Sequence, residues 1–284
     1  MRIGFEIMHI CWWNFYINMI KKVKEQGHKP YIIVRERGNL LAVIKNEYDY
    51  HEDIFVIGHH ENNIIKKFLG IANRFIDLLY FVDNMKIEAM ASDSYFSAIV
   101  SKIKGIKSVI FVDDYEYKGT FYPPVFFASK LYMPFNFPTI RKNIVKYNGT
   151  KECAYLSKKY FEPNLKILEK YNLLKGSYVF LRLINRNSLN YKNVGKTFDL
   201  IQIIKLLKKN GIKLVVSSEE TIKGLERIKN LVLIGKEKYY HSLINYAMFT
   251  ITEGDTVARE SAILGVPTIY VGGRDMLVNK IFKS

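Results

Sequence analysis

Short apolar, β-branched runs alternate with amphipathic stretches along this chain of 284 residues. Residues 2–8 (RIGFEIM) and 31–35 (YIIVR) have the composition of buried strands, and the segment between them places Tyr16, Ile20 and Val23 on one helical face. Strands separated by helix-length segments are typical of βαβ units, which connect parallel strands through helices. The pattern therefore predicts an α/β fold built from doubly wound parallel sheets.

A proline- and aromatic-rich segment interrupts this alternation. Residues 119–138 (GTFYPPVFFASKLYMPFNFP) hold four of the seven prolines, a density that predicts an ordered loop without a regular helix or strand. A second series of strands and helices follows, beginning with residues 178–184 (YVFLRLI). We therefore predict two Rossmann-like domains, residues 1–140 and residues 141–284.

The positive charge is concentrated in the second half of the chain. The whole sequence has 43 Lys+Arg and 27 Asp+Glu, a net charge of +16. Residues 1–140 contain 17 basic and 15 acidic side chains, whereas residues 141–284 contain 26 and 12. Such an excess predicts an anionic partner: a nucleic acid, a phosphorylated small molecule or an acidic membrane surface. Only 10 of the basic residues are arginine, which disfavours nucleic acid because base readout favours the arginine fork.

The cysteines and the hydropathy predict a cytoplasmic protein. Cys11 and Cys153 are too few for a disulfide framework and fit a reducing compartment. The N-terminus has a strand pattern instead of a secretory signal, and the apolar run 75–82 is too short to span a bilayer. The aromatic segment 119–138 leaves two alternatives. It packs over a domain edge, or it inserts peripherally at the anionic inner face of a membrane.

Polar residues and glycines lie at the ends of several predicted strands, at the positions where open parallel sheets bind ligands. In the first half these are His9, Asp93, Asp113 and Asp114. In the second half they are Arg182, Arg186, Gly235, Glu253, Gly254, Asp255 and Thr256.

Residues 250–273 (TITEGDTVARESAILGVPTIYVGG) are the most informative segment. After a predicted strand, Gly254 permits a tight turn, and Asp255 or Thr256 can cap the helix that follows. A helix N-terminus presents backbone N–H groups and a partial positive charge, an arrangement that favours a phosphate. The segment therefore predicts a phosphate site.

Two charged residues lie in the first turns of this predicted helix, Arg259 and Glu260. The Glu260 carboxylate has the capacity to accept two ribose hydroxyls. The alternative is that Gly254 and Gly265 only separate strand, helix and strand, and that Glu260 is a solvated helix residue.

The run from Glu260 through Gly265 to Pro267 matches an E-(S/A)-x-x-x-G-x-P pattern. It resembles the nucleotide-sugar site of GT-B-fold glycosyltransferases and of UDP-N-acetylglucosamine 2-epimerase. The chain also resembles the domain of unknown function 354 family. That likeness is carried by Gly27–His28 at the end of the opening helix, by residues 147–156 (YNGTKECAYL) and by residues 256–262 (TVARESA).

The resemblance implies two Rossmann-like domains that face a cleft, the first on the acceptor side and the second on the nucleotide-sugar side. It implies a glycosyltransferase that transfers a sugar from a nucleotide diphosphate donor, UDP-linked, to a glycan or lipid-linked acceptor without a metal or other cofactor. One alternative is a sugar-nucleotide epimerase. Another is a non-catalytic protein with a GT-B-like fold.

Roles for individual residues follow from the same resemblance. Arg182 would pair with the diphosphate through its bidentate fork. His9 would act as the base of an inverting transferase, with Asp93, Asp113 and Asp114 as alternative bases. In an epimerase the available acid and base groups would be Asp93, Asp113 and Glu116.

The sequence departs from the family pattern at three places. The turn usually has two adjacent glycines, and the second is Asp255 here, an acid that would repel a diphosphate unless it turns away or caps the helix. Residues 185–191 (NRNSLNY) replace a segment that usually carries histidine and aspartate. The closing helix that crosses back onto the first domain is expected to be absent, because the chain stops at Ser284.

Overall fold

A computed structural model describes residues 1–36, 38–59, 64–184, 200–218, 230–235 and 237–282. Its contacts divide the chain into two compact units. The first unit comprises Met1–Tyr155 and Met276–Ile281. The second comprises Leu156–Asp275 and the chain end from Phe282.

The first unit is built on a parallel sheet with strand order β3-β2-β1-β4-β5-β6-β7. Its strands are β1 (Arg2–Ile7), β2 (Lys29–Glu36), β3 (Ile54–His59), β4 (Ala89–Ser92), β5 (Lys107–Phe111), β6 (Lys130–Pro134) and β7 (Ile144–Tyr147). Its helices are α1 (Ile10–Glu25), α2 (Leu40–Glu47), α3 (Ile64–Asn84), α4 (Tyr95–Lys104), α5 (Lys118–Phe127) and α6 (Cys153–Leu156), whose last residue belongs to the second unit. A short 3-10 helix, His51–Asp53, precedes β3.

The central strands of this sheet are covered on both faces. Ile32, Ile33 and Val34 in β2 are fully buried although their side chains alternate between the two faces. A continuous apolar strand of this kind is what a parallel sheet sandwiched between helices requires. The strand order reverses between β1 and β4, the kind of switch point at which doubly wound sheets bind ligands.

The prediction of a loop throughout residues 119–138 is wrong. The structure has helix α5 and strand β6 there, with Pro123 and Pro124 inside the helix. These prolines cannot donate to the carbonyls of Gly119 and Thr120, but both of those residues are exposed, so water can replace the missing bonds. Burial of the opposite face of α5 in the core then outweighs the local propensity.

The second unit has a smaller parallel sheet with strand order β10-β9-β8-β11-β12. Its strands are β8 (Tyr178–Leu183), β9 (Lys213–Ser218), β10 (Leu231–Ile234), β11 (Phe249–Thr252) and β12 (Thr268–Tyr270). Its described helices are α7 (Lys166–Lys170), α8 (Leu200–Lys209), α9 (Tyr240–Asn245) and α10 (Asp255–Ile263). Here the strand order reverses between β8 and β11. The predicted architecture of two doubly wound parallel sheets is confirmed.

After the second sheet the chain returns to the first unit. A 3-10 helix, Leu277–Phe282, lies in this last segment, and its residues up to Ile281 belong to the first unit. Met276 and Val278 are buried in the same core as Leu131. The backbone of Leu277 is held from both sides, since its N–H donates to Glu116 Oε1 at 2.8 Å and its carbonyl accepts from Asn136 Nδ2 at 2.6 Å.

Candidate functional site

The switch point of the second sheet brings a cation next to a helix N-terminus. Arg182 in β8 is the register partner of Thr252 in β11, and the turn to α10 starts directly after Thr252. The Arg182 guanidinium donates from Nη1 to Ser217 Oγ at the end of β9, at 2.8 Å. Because Cα partners on neighbouring strands lie about 5 Å apart, Arg182 and the start of α10 share one edge of the sheet.

The turn itself is held by short-range hydrogen bonds. The backbone N–H of Gly254 donates to Thr252 Oγ1 at 2.9 Å, and the hydroxyl of Thr252 donates to the Gly254 carbonyl at 3.0 Å. The N-cap of α10 is Gly254, so neither Asp255 nor Thr256 caps the helix as the sequence analysis proposed. A glycine cap has no side chain to accept from the first-turn N–H groups, the groups that bind anions at many helix N-termini.

Asp255 lies in the first turn of α10 and is buried among cations. Its Oδ2 is 3.3 Å from Arg259 Nη1, and its Oδ1 is 3.6 Å from Arg274 Nη1. Thr256 Oγ1 also accepts from Arg259 Nη2, at 3.4 Å. The charge of Asp255, which replaces the second glycine usual in the family turn, is therefore compensated by two arginines of the same unit.

Glu260 is buried and contacts a histidine that the sequence analysis did not select. Its Oε1 is 3.0 Å from His241 Nε2 in α9. The alternative of a solvated helix residue is therefore wrong. Glu253 is buried as well, and its Oε2 accepts from the Ile184 backbone N–H at 3.2 Å.

A glycine after β12 contributes to this edge. A Cβ on Gly272 would lie 2.1 Å from the Glu253 carbonyl oxygen and 2.6 Å from the Tyr270 hydroxyl, so no larger residue fits there. Burial, assisted by the Asp255 charge, raises the pKa of Tyr270 to about 12. The glycine pair at 272–273 was a usable signal for this close approach, whereas the partners His241 and Arg274 had no local sequence signature.

Some of the substrate-binding residues predicted in the second half are not observed at this edge of the sheet. Gly235 follows β10, two strands away from β8, and is exposed. Arg186 and the rest of residues 185–191 lie outside the described residues.

Three of the predicted catalytic residues lie at adjacent strand ends around the switch point of the first sheet. Strands β1, β4 and β5 are neighbours, and His9, Asp93 and Asp113 follow them in that order. His9 is exposed and is the N-cap of α1, where its carbonyl accepts from the N–H groups of Trp12 and Trp13 at 3.0 and 3.1 Å.

Asp93 is a partly buried acid beside other acids. Burial, and secondarily the charge of Glu6, raises the pKa of Asp93 well above its ordinary value, and Asp113 acts in the same direction. Its Oδ1 is buried and has no hydrogen-bond partner among the residues that the structure describes. The Tyr16 hydroxyl is also buried without a hydrogen-bond partner among the described residues. Burial, and secondarily the charge of Asp93, raises the pKa of Tyr16.

Asp113 is paired with a lysine from the stretch that carries the family likeness. Lys151 is buried, forms an ion pair with Asp113, and places its Nζ 3.3 Å from Glu152 Oε1. The same ammonium lies 5.3 Å from the ring centroid of Trp12. Sequence reasoning placed Lys151 only within a motif and missed that it neutralises a predicted catalytic acid 38 positions earlier.

Cys11 lies in the first turn of α1 near this group. Burial raises the pKa of its thiol to about 12, the Lys151 charge opposes the shift, and Asp113 and Asp93 add to it. Lys151, Asp113 and Asp93 all act on this thiol, which shows that these charges are concentrated at one end of the first sheet.

Comparison with known proteins identifies the family. The family model described as "Protein of unknown function (DUF354)" matches residues 1–282. The chain belongs to this family. It is also 27% identical over 283 residues to the uncharacterized protein MJ0665 of Methanocaldococcus jannaschii, covering 93% of this chain and 80% of that protein.

Solved structures with the same fold come from two groups of enzymes. UDP-GlcNAc 2-epimerase from Neisseria meningitidis, bound to UDP-GlcNAc, aligns with a TM-score of 0.71 and 13% identity over 100% of this chain and 85% of that one. The Methanocaldococcus jannaschii UDP-GlcNAc 2-epimerase in complex with UDP-GlcNAc and UDP aligns with a TM-score of 0.66 and 14% identity, over 97% of this chain and 84% of that one. Spinosyn forosaminyltransferase SpnP aligns with a TM-score of 0.61 and 12% identity, over 94% of this chain and 78% of that one. The DUF354 chain therefore has a GT-B-like fold.

Proposed function

We propose that this DUF354 protein is a glycosyltransferase that takes its sugar from a UDP-linked donor and passes it, without a metal, to a hydroxyl of a glycan or lipid-linked acceptor. The observation that carries the proposal is the second switch point, where Arg182 lies beside the glycine-capped N-terminus of α10. An arginine fork and open backbone N–H groups together suit a diphosphate.

The pairing of Asp255 supports this role for the turn. Arg259 and Arg274 offset the carboxylate charge, so the acid at the second glycine position does not oppose an anion bound at the helix N-terminus. Solved structures with this fold hold UDP-GlcNAc or UDP, which supports a UDP-linked donor over other nucleotides. The buried carboxylate of Glu260 supplies the acceptor that ribose hydroxyls need.

In the proposed reaction the acceptor oxygen bonds to the anomeric carbon of the donor. The bond from that carbon to the diphosphate breaks, and the diphosphate leaves with the electron pair. The acceptor proton passes to a base on the first unit, for which His9 is the exposed candidate and Asp113 the alternative. Arg182 and the α10 N-terminus offset the charge that develops on the leaving diphosphate.

A sugar-nucleotide epimerase remains the second candidate, and Asp93 is the observation that favours it. Its raised pKa favours the protonated form, and an epimerase needs an acid on one side of the sugar ring as well as a base. Asp113 and Glu116 would be the accompanying carboxylates.

Donor binding is tested by isothermal titration with UDP-GlcNAc, UDP-glucose and GDP-mannose. We expect UDP-linked sugars to bind, and Arg182→Ala to weaken them roughly 30-fold or more, because a charged bidentate contact is lost. Arg182→Lys keeps the charge without the fork and should show an intermediate loss. Lys175→Ala is the matched control, since it removes an exposed cation just before the opposite end of β8 and should leave the affinity unchanged. Absence of binding by the folded protein at millimolar concentrations contradicts the proposal.

The reaction type is tested with the donor that binds best. Release of UDP that depends on added alkyl glycosides or a polyprenyl phosphate supports transfer. Incorporation of solvent deuterium at C2 of the sugar without any acceptor would instead support the epimerase and contradict transfer. Donor binding with neither reaction would leave a non-catalytic binding protein.

A further inference from the structure

The outer face of α5 carries large aromatic side chains where a polar surface is the usual pattern. Tyr122 and Phe126 are one helical turn apart with ring centroids 6.5 Å apart, and they are 39% and 57% exposed. Phe127 is 41% exposed. We call these three residues the aromatic face. The other side of α5 is buried in the core of the first unit, so the core does not account for these exposed rings.

Exposed cations surround the aromatic face. The Arg141 guanidinium lies 4.9 Å from the ring centroid of Phe126. Asn143 Nδ2 donates to the carbonyls of Val125 and Ala128 at 3.1 and 2.9 Å, which holds the segment containing Arg141 and Lys142 against the last turn of α5. Both of these basic residues are exposed.

The chain contains no acid between Glu116 and Glu152. Lys118 at the start of α5 and Lys130 just after it are also exposed, so four exposed cations flank the aromatic face along a sequence with no Asp or Glu. Every charged side chain in residues 117–151 is therefore basic, although residues 1–140 as a whole are nearly balanced in charge. A surface of this kind suits an anionic partner that also accepts apolar rings.

We propose that the aromatic face docks on a phospholipid bilayer with anionic headgroups. The rings would enter the boundary between headgroups and acyl chains, while Arg141, Lys142, Lys118 and Lys130 would contact phosphate groups. Arg141 already covers one face of Phe126, which leaves less of that ring for base stacking, and the outer side of a helix is not the groove that single-stranded nucleic acid follows. A bilayer uses both the rings and the cations.

Flotation of the full chain with vesicles tests this proposal without any nucleotide sugar, so its outcome is separate from that of the proposed function. The probes are phosphatidylcholine vesicles and vesicles of phosphatidylcholine mixed equally with phosphatidylglycerol. We expect binding to the mixed vesicles that falls as salt rises. Arg141→Gln with Lys142→Gln should weaken it roughly tenfold or more, and Phe126→Ser with Phe127→Ser should weaken it by a similar factor.

Matched controls separate the aromatic face from general surface charge. Lys208→Gln with Lys209→Gln removes two exposed cations from the last turn of α8, and Leu174→Ser removes a more exposed apolar side chain; neither should change flotation. Circular dichroism checks that each variant is folded. The proposal is overturned if the wild type does not bind the mixed vesicles. It is also overturned if the α8 control loses as much binding as the Arg141 and Lys142 variant, or if the Phe126 and Phe127 variant binds like wild type. Equal competition by single-stranded DNA that depends on Phe126 would assign the surface to nucleic acid instead.

Discussion

The two sheets place acidic residues at equivalent switch points but neutralise them differently. In the second unit, Asp255 is buried with Arg259 and Arg274, so cations compensate its charge. In the first unit, Asp93 is partly buried near Glu6 and Asp113, and its raised pKa favours the protonated form. A similar topology therefore provides one acid whose charge is compensated by cations and another whose raised pKa favours the protonated form.

Among the variants that test this comparison, removal of the buried Lys151 ammonium from the first unit should lower the free energy of unfolding most. Lys151→Met leaves Asp113 and Glu152 in a buried site without the ammonium, and we expect the free energy of unfolding to fall by about 3–5 kcal/mol. Urea unfolding measures the change. Lys142→Met, at an exposed position, should cost less than about 0.5 kcal/mol. Adding Asp113→Asn to Lys151→Met should restore part of the loss, and failure of that rescue would contradict charge compensation as the cause.

Neutralising the acid of the second unit should also destabilise the protein, by a smaller amount. Asp255→Asn removes a charged partner from buried Arg259, and we expect a loss of about 2 kcal/mol, the usual scale for a hydrogen bond to a charged group. Asp77→Asn on the exposed side of α3 is the matched control and should be nearly neutral. A stabilised Asp255→Asn variant would show that the arginines do not compensate this acid.

The corresponding change in the first unit, Asp93→Asn, should have the opposite sign and a size that grows with pH. Because the folded-state pKa of Asp93 is raised, the wild-type free energy of unfolding falls as pH rises above about 3.8, by up to about 1.4 kcal/mol per pH unit, until the pH passes the raised pKa. Asp93→Asn lacks this term, so it should gain stability over wild type as pH rises. Urea midpoints at pH about 4 and about 8 measure the gain. Parallel pH profiles for the two proteins would refute the raised pKa.

Sequence patterns predicted the two parallel sheets because buried parallel strands need continuous apolar runs, and such runs are visible in the chain. The same reasoning failed for residues 119–138. Proline propensity is local, whereas α5 is stabilised by the burial of Phe121 and Val125 against distant residues. Exposure of the carbonyls that lose their donors is a property of the folded unit and has no sequence signal.

At the candidate sites, strand-end reasoning found positions but not partners. His9, Asp93, Asp113 and Arg182 all follow or end strands at the switch points, as the alternation of strands and helices predicts. The pairs that determine their charge join residues far apart in the chain, such as Lys151 with Asp113 and Arg274 with Asp255. No spacing rule connects such residues, so the electrostatic character of each site became visible only in the fold.

The return of Met276–Ile281 to the first unit has a consequence for how the protein is made. The strands of the first unit are translated before those of the second, but the core of the first unit is filled only once Met276 and Val278 have been added after the second sheet. A gene divided after Tyr155 would yield a first fragment with that space open. The described strands of the second unit all precede Met276 in the chain, so they are synthesised before the core of the first unit can be completed.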